Sequence, residues 1–419
     1  MAGRAESEGR TRLLLAVALG MAVAASAVSC SGGDDSSDDE RAVIEIRTVQ
    51  VADPGNAAAA IVPFHPGVYA SCADAPSRKA GCVLVGAVDD TYEIGELEVT
   101  VDQYVAFLNA VDPTGTNRGN IYTDSMSPDS WPKYGSIRRL SSDDVSAGEH
   151  YEVAYPEWDD KPMAFANFPR AAAFVNALTN GEVLSRTTST TDRFGVVVYR
   201  VRLSRDFDSG MYDLRSNKGS GTTRALATGF VVPSQDEWIK AAYYDPSSDD
   251  ALPWWIYPTG PRDGPNASVL SADGDVANAD TQPLSTYTPR GATTSPTWCP
   301  AEAGDDCDSV NPVNLSASDY QSQYRANVGT VGQTRTRSPW GTLDQGGNVV
   351  EWTDTIAPSP ARSARVWRRA HGGVANAAGY QLWISAIGRT PEANAGIERI
   401  NPWQGFRIGV IGEHRPDEG

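Results

Sequence analysis

The chain has 419 residues and a formal net charge of −18 at pH 7. This acidic balance argues against nucleic acid and anionic lipid head groups as partners. The length fits one large domain or two small ones once a leader and a linker are set aside.

The first 29 residues have the order of an export signal. Three arginines precede the apolar run Leu13–Val28, which is too short to span a bilayer. The run ends at Ala27-Val28-Ser29-Cys30, which is similar to a bacterial lipobox with alanine where leucine is usual. We predict a lipoprotein signal peptide over residues 1–29 and a lipid on Cys30. The alternative is an ordinary secretory signal with an incidental cysteine.

The residues after Cys30 are polar and acidic, and Ser31–Glu40 has nothing to bury. We therefore predict a disordered tether over residues 30–57 and a folded domain over residues 58–415. Because serine follows the cysteine, we expect sorting to the outer membrane or the periplasm, with the lipid as the only membrane contact. Without lipidation the protein would be secreted.

Three helices are predicted from local signals. The first begins at Thr100, where Gln103 completes a capping box. The second begins near Asn167, with a proline in its first turn. The third begins at Ser234, and Glu237 completes its capping box.

Two strands and one long irregular region are also predicted. Residues 194–201 are rich in β-branched side chains, and residues 383–387 form a second apolar run. Residues 244–325 contain many Asp, Pro, Ser and Thr without periodicity, which indicates a long loop region.

Five cysteines are present. If Cys30 carries the lipid, four remain in two close pairs, Cys72 with Cys82 and Cys299 with Cys307. Four cysteines in an oxidising compartment allow three connectivities, and two local bridges are the simplest of them. The spacings do not resemble those of zinc knuckles.

The segment Gly341–Trp352 places two carboxylates, Asp344 and Glu351, on either side of the glycine pair Gly346-Gly347. A backbone that folds sharply at the glycines can turn its carbonyls inward. Carboxylate and carbonyl oxygens together are what Ca²⁺ prefers. The alternative is a plain glycine turn between two strands, without a metal.

Seven short blocks stand in order between about residues 90 and 410. They are Ile94–Thr100, Gln103–Asn109, Val232–Ala242, Ala326–Val328, Gly341–Trp352, His371–Gly373 and Gly405–Arg407. In this order they resemble the formylglycine-generating enzyme (sulfatase-modifying factor) family. The resemblance implies an α+β formylglycine-generating-enzyme fold, with a C-type-lectin-like core and much irregular loop structure.

The resemblance also implies metal positions. In the family's calcium site, the positions of Asp344 and Glu351 give side-chain oxygens, and those of Gly347 and Val349 give carbonyls. A second calcium site is implied at Asn327 and Val328, although residues 329–340 supply no acid to complete it. The cofactor that we expect is therefore structural Ca²⁺.

The family's copper chemistry needs two thiolates, which suit a soft Cu(I) ion. The thiolate positions fall at or near Ala377 and Leu382, and no cysteine follows Cys307. Copper is therefore not expected. A second branch of the family holds iron by three histidines, whereas the four histidines here are scattered.

Two functional interpretations remain open. The first is a non-catalytic binding or scaffold protein, with a calcium-stabilised fold and an unidentified protein or glycan of the cell envelope as its partner. The second is an oxidoreductase of the formylglycine-generating type that modifies exported proteins.

The lipobox interpretation predicts that a fatty-acid analogue fed to cells labels the wild-type protein and not the Cys30→Ala variant. Only the cysteine that becomes the mature N-terminus accepts the lipid in this pathway. In-gel detection of the analogue measures the difference, and equal labelling of the two proteins would contradict the prediction.

Overall fold

The protein's structure is a computed structural model. It describes residues 41–412 except for 66, 76–80, 132–134, 142–144, 146–147, 190–193, 217–220, 272–274, 288–328, 360–364, 376–378 and 392–402. Cys30, Cys299, Cys307, Asn327, Val328 and Ala377 lie outside the described residues.

The largest sheet has six strands in an entirely antiparallel arrangement. In spatial order they are β10 (Gly229–Val231), β17 (Gly409–Ile411), β5 (Tyr92–Gly95), β1 (Val43–Val51), β9 (Val197–Arg202) and β8 (Glu182–Thr188). The sheet therefore joins segments from both ends of the described chain. Its fourth strand, β1, alternates buried and exposed residues over most of its length, as a strand with one buried face does.

The predicted extent of the tether is wrong at its C-terminal end. Residues 43–51 form β1, which lies between β5 and β9 in the centre of the large sheet. Residues 31–40 are acidic, and the alternating pattern of the strand begins only after them. The strand was therefore included in the predicted tether. The predicted start of the domain at residue 58 is therefore too late.

A second sheet has four strands, with the order β15-β14-β13-β16. They are β13 (Val350–Ala357), β14 (Trp367–His371), β15 (Gly388–Pro391) and β16 (Gln404–Gly405). Strand β13 pairs antiparallel with β14 and parallel with β16. This sheet carries Glu351 at the start of β13.

Three smaller sheets complete the described strands. They are β3-β2-β4, with β2 (Ala59–Ile61), β3 (Val68–Tyr69) and β4 (Val83–Val85); β6 (Ile137–Arg139) with β7 (Tyr151–Val153); and β11 (Asn266–Ala267) with β12 (Leu284–Ser285). The disulfide Cys72–Cys82, with an S–S distance of 2.00 Å, closes the connection between β3 and β4. The prediction of this bridge is confirmed.

All three predicted helices are confirmed. They are α1 (Val101–Val111), α2 (Phe168–Thr179) and α3 (Gln235–Tyr243). The capping boxes at Thr100 and Ser234 are both formed. Because these signals are local, the sequence located the helix starts to within one residue.

The helices contribute to two different parts of the core. The α1 and α2 helices pack with the large sheet in a cluster rich in aromatic rings, where Tyr104, Phe107, Phe174 and Phe406 stack or meet edge to face. The α3 helix instead packs through Trp238 and Ile239 with the β3-β2-β4 sheet. It also contacts β13 and β14, so it connects a small sheet to the four-stranded sheet.

The predicted strand at residues 383–387 is wrong. Residues 383–385 form a bend and a turn, residues 386 and 387 lie in no strand, and Ala386 donates its N–H back to the carbonyl of Trp383. Ile384 and Ile387 are buried in the α3 cluster. A short apolar run has the same sequence pattern in a buried strand and in a buried turn, so the pattern did not distinguish the two structures.

The long region of residues 244–325 is irregular where the structure describes it, with β11 and β12 as its only strands there. Among the described residues, no helix has the length and apolar character that a membrane crossing requires.

The place of β1 in the sheet predicts the result of two truncations. A chain that begins at Arg41 should keep the melting temperature of the mature protein, because it contains every strand that the structure describes. A chain that begins at residue 58 should fail to fold, because β5 and β9 lose the strand between them. Circular dichroism melts of the two chains measure this. A cooperative melt of the shorter chain at an unchanged temperature would contradict it.

Candidate functional site

The candidate site lies where the glycine turn enters β13. Asp344 and Asn348 have φ values of +53° and +56°, which are uncommon for residues with side chains. Gly347 has a φ of +93°, and a Cβ there would lie 2.3 Å from the carbonyl oxygen of Thr286. Only glycine fits at residue 347, and the turn brings the carboxylates of Asp344 and Glu351 into the same buried region.

Glu351 is fully buried and its charge is paired. Its Oε2 accepts hydrogen bonds from Arg407 Nε at 2.6 Å and Trp238 Nε1 at 2.8 Å. Its Oε1 accepts a hydrogen bond from Arg407 Nη2 at 2.7 Å. Both side chains of the ion pair have 0% exposure. This bidentate geometry is the strong form of an arginine–carboxylate pair.

Arg407 also donates to backbone carbonyls. Its Nη1 lies 2.8 Å from the oxygen of Gly95 and 3.4 Å from that of Glu96, and its Nη2 lies 3.1 Å from that of Leu343. Burial alone lowers the pKa of Arg407, but the charge of Glu351 and its hydrogen bonds outweigh burial and raise it. The guanidinium therefore stays charged in the interior.

Asp344 is buried beside this pair. Its Oδ1 accepts a hydrogen bond from Thr334 Oγ1 at 2.6 Å, and its Oδ2 accepts one from the N–H of Gly332. Burial raises the pKa of Asp344, while the two hydrogen bonds and the charge of Arg407 oppose that rise.

Glu98 is a third buried carboxylate in the region, with 1% exposure. Its Oε1 accepts a hydrogen bond from Asn348 Nδ2 at 3.3 Å. Its Oε2 is buried and has no hydrogen-bond partner among the residues that the structure describes. Burial and the charge of Asp344 raise the pKa of Glu98 well above its usual range, and Arg407 opposes them.

Calcium fits these residues only in part. All four carboxylate oxygens of Asp344 and Glu351 already accept hydrogen bonds from protein donors. The N–H of Gly347 donates to the carbonyl of Gly372, and Val349 packs in an apolar cluster. Within the described ranges, no three His, Cys, Asp or Glu side chains are grouped to hold a metal. Calcium at the four predicted positions stays a prediction. Of the buried carboxylates of Glu98, Asp344 and Glu351, only that of Glu98 has an oxygen without a hydrogen-bond partner among the described residues.

The position of the family's second thiolate, at Leu382, is part of the packed core. Leu382 is 1% exposed, and its carbonyl accepts a hydrogen bond from Tyr243 Oη at 3.0 Å. Nearby, the ring of His371 stacks on Trp238 with centroids 5.2 Å apart. Burial, followed by the charge of Arg369, lowers the pKa of His371 to about 3, so this imidazole is neutral at pH 7.

A small cavity opens beside Asp344. Its volume is about 10 Å³, and its lining includes Pro258, Thr342 and Gln345. This space is close to the minimum for one water molecule and does not accommodate a substrate.

Two members of the buried cluster were missed as site residues from the sequence. Glu98 and Arg407 both lie in family-like blocks, next to Val99 and Phe406. The available signal was a charged residue next to apolar residues within such a block. The sequence did not indicate which residues pair, because Arg407 and Glu351 are 56 residues apart in the chain.

The buried pair predicts a large effect of Arg407→Met. Removing the guanidinium leaves Glu351 buried without its counter-ion, and the free energy of unfolding should fall by about 3–5 kcal/mol. Denaturant unfolding measures the change. The matched control is Arg215→Met, which removes an arginine from a surface pair with Asp213 and should leave the unfolding midpoint unchanged. A loss for Arg407→Met as small as that of the control would contradict the prediction.

Three solved structures are similar to this chain at low identity. Treponema denticola variable protein 1 is 16% identical, with 88% of this chain and 96% of that chain covered and a TM-score of 0.40. The protein CarF is 14% identical, with 88% and 99% covered and a TM-score of 0.42. PvdO from Pseudomonas aeruginosa is 10% identical, with 86% and 100% covered and a TM-score of 0.36. We draw no functional conclusion from these likenesses.

No curated protein matches the chain. The model of one family, described as the sulfatase-modifying factor enzyme 1-like domain, matches residues 85–410. This match covers most of the chain and agrees with the mixed architecture of few helices, short strands and long loops. The chain belongs to the family of sulfatase-modifying factor enzyme 1-like domains.

Proposed function

We propose that the protein is an exported, lipid-anchored binding or scaffold protein whose domain is stabilised by calcium and does not generate formylglycine. The non-catalytic part of this proposal rests on the residues that stand at the family's two thiolate positions. The sequence has no cysteine after residue 307, and Leu382 is buried with its carbonyl bonded to Tyr243. A copper site of the thiolate kind has no ligands there.

Export and anchoring are supported by three features of the sequence. These are the basic and apolar leader, the lipobox-like end at Cys30, and the acidic composition of residues 31–40. The disulfide Cys72–Cys82 is also in keeping with an oxidising compartment outside the cytoplasm. On this proposal the lipid is the only membrane contact, and the partner is a protein or glycan of the envelope.

The alternative is an oxidoreductase of the formylglycine-generating type that acts on exported proteins. Membership of the family is the observation that favours it. An enzyme of this kind would need redox-active side chains close to the thiolate positions. Around Leu382 the described residues instead supply buried apolar side chains and a neutral histidine.

A direct activity assay tests the proposal. The mature protein, reconstituted with Cu(I) and oxygen, is incubated with an unstructured cysteine-containing peptide, and an active formylglycine-generating enzyme serves as the positive control. We expect no protein-dependent aldehyde by mass spectrometry, because the chain offers no thiolate pair to hold copper. Aldehyde formation that requires this protein would overturn the non-catalytic assignment in favour of the oxidoreductase.

A further inference from the structure

We propose that this protein cleaves its own chain at the peptide bond between Asp53 and Pro54. The bond lies in an exposed turn that follows β1, where water has access to it. The carboxylate of Asp53 attacks its own backbone carbonyl, and the ammonium of Lys240 stabilises the charge that develops on the carbonyl oxygen. Water is the co-reactant, and the reaction goes beyond the function proposed above.

The backbone of Asp53 is the first observation. Its φ is +57°, in the left-handed region, which Asp adopts more readily than most residues with side chains. A proline that follows favours extended backbone instead. The chain has three Asp–Pro bonds, at 53–54, 112–113 and 245–246, and of their aspartates Asp53 is the one with a positive φ. The turn therefore holds Asp53 in a conformation that Pro54 disfavours, and cleavage removes that constraint.

The carboxylate of Asp53 is held at one oxygen and free at the other. Tyr244 Oη donates a hydrogen bond to Asp53 Oδ2 at 2.5 Å. Burial, followed by this hydrogen bond, raises the pKa of Tyr244 to about 12, so the phenol is a donor at neutral pH. Oδ1 accepts no hydrogen bond from the described residues. It is the oxygen that attacks.

The other two Asp–Pro bonds lack this arrangement. The carboxylate of Asp112 accepts four hydrogen bonds, one of them from Tyr151, and that of Asp245 accepts three, one of them from Trp255. Their carbonyl oxygens accept bonds from backbone N–H groups, and no cationic side chain of the described residues reaches them. Both carboxylates are therefore occupied, and we expect both bonds to stay intact.

Lys240 supplies the positive charge at the bond that breaks. This lysine lies in the last turn of α3 and has 0% exposure. Its Nζ donates to the carbonyl oxygen of Asp53 at 2.8 Å, and this hydrogen bond is the ammonium's only one within the described part of the chain. Buried lysines are usually paired with a carboxylate. Here the ammonium contacts the oxygen that becomes negative when the carboxylate adds, as the donors of an oxyanion hole do.

The chemistry needs a proline after the aspartate. Pro54 has no N–H, so its nitrogen cannot attack the side chain of Asp53, which is the usual rearrangement at aspartate. Oδ1 instead adds to the carbonyl carbon of the same residue, where proximity is built in. The C–N bond to Pro54 breaks, its nitrogen takes a proton from water, and Asp53 is left as a cyclic anhydride. The hydroxide then opens the anhydride to the side-chain carboxylic acid and an α-carboxylate. The sum is hydrolysis of one peptide bond by one water molecule.

The fold keeps the two products together. Strand β1 ends at Val51, just before the bond, and it is paired with β9 and β5 on its two sides. After cleavage the N-terminal piece stays in the sheet through β1, and the remainder of the domain begins at Pro54. If Cys30 carries the lipid, the anchor then holds the domain through the hydrogen bonds of β1 and not through a peptide bond.

The test follows the mature protein during incubation at neutral pH. Intact-mass spectrometry in denaturant and N-terminal sequencing identify the fragments, and size-exclusion chromatography without denaturant shows whether they stay together. The variants are Asp53→Asn, Pro54→Ala and Lys240→Met. The first keeps a side chain that tolerates the left-handed backbone and can accept the bond from Tyr244, but it lacks the attacking carboxylate.

We expect the wild type to give one fragment that ends at Asp53 and one that begins at Pro54, which elute together without denaturant. Asp53→Asn and Pro54→Ala should stay intact at an unchanged melting temperature, because both positions are exposed. Lys240→Met should cleave about 100-fold more slowly, as expected for the loss of one oxyanion donor. The bonds at 112–113 and 245–246 are controls within the same chain.

Each contrary result has a separate meaning. A wild type that stays intact overturns the proposal. Equal cleavage at all three Asp–Pro bonds shows ordinary lability of such bonds, and cleavage of Asp53→Asn at the wild-type rate shows a contaminating protease; both overturn it as well. A folded Lys240→Met that cleaves at the wild-type rate overturns the role of Lys240, and if it does not fold, Asp53→Asn and Pro54→Ala decide. The fragment that begins at Pro54 is the same with or without a lipid, so its absence says nothing against anchoring.

Discussion

The ion pair between Arg407 and Glu351 is the interaction on which the arrangement of this domain depends. The guanidinium reaches carbonyls at Gly95 and Leu343 as well as the carboxylate at the start of β13. It therefore fixes the end of β5, the glycine turn and the four-stranded sheet against the segment that enters β17. All of these groups are buried, so no water can take over the hydrogen bonds if one partner is lost. A lysine could not replace it, because one ammonium lacks the planar fork that bonds the carboxylate at two points.

The charge of Arg407 determines which of the neighbouring buried carboxylates is neutralised. Arg407 pairs with Glu351, so Asp344 depends on hydrogen bonds from Thr334 and from the N–H of Gly332. Glu98 keeps one oxygen that no group in the described part of the chain bonds. The turn also holds Asp344 and Asn348 in left-handed backbone conformations, which Asp and Asn adopt more readily than other residues with side chains. The turn therefore combines left-handed residues with buried carboxylates, and the guanidinium of Arg407 pairs with only one of these carboxylates.

The features that the sequence predicted correctly depend on neighbours in the chain. Thr100 with Gln103 and Ser234 with Glu237 each form a capping box within four residues, so their helices were readable. The missed features depend on distant partners. Residues 43–51 become a central strand only because β5 and β9 lie on either side of them. Likewise, the glycine turn revealed Asp344 and Glu351, but the distant Arg407 decides which carboxylate is neutralised.

The position of the family's second thiolate connects to the same buried pair. Leu382 accepts a hydrogen bond from Tyr243, whose ring lies 6.1 Å from that of Trp238, and Trp238 donates to Glu351. A leucine there fills space and supports the α3 helix, whereas a reactive thiolate would need access to a substrate. The fold is thus held by contacts that do not require redox chemistry. Because fold and chemistry depend on different side chains, the domain can keep its architecture while the second of these positions, Leu382, is part of the packed core.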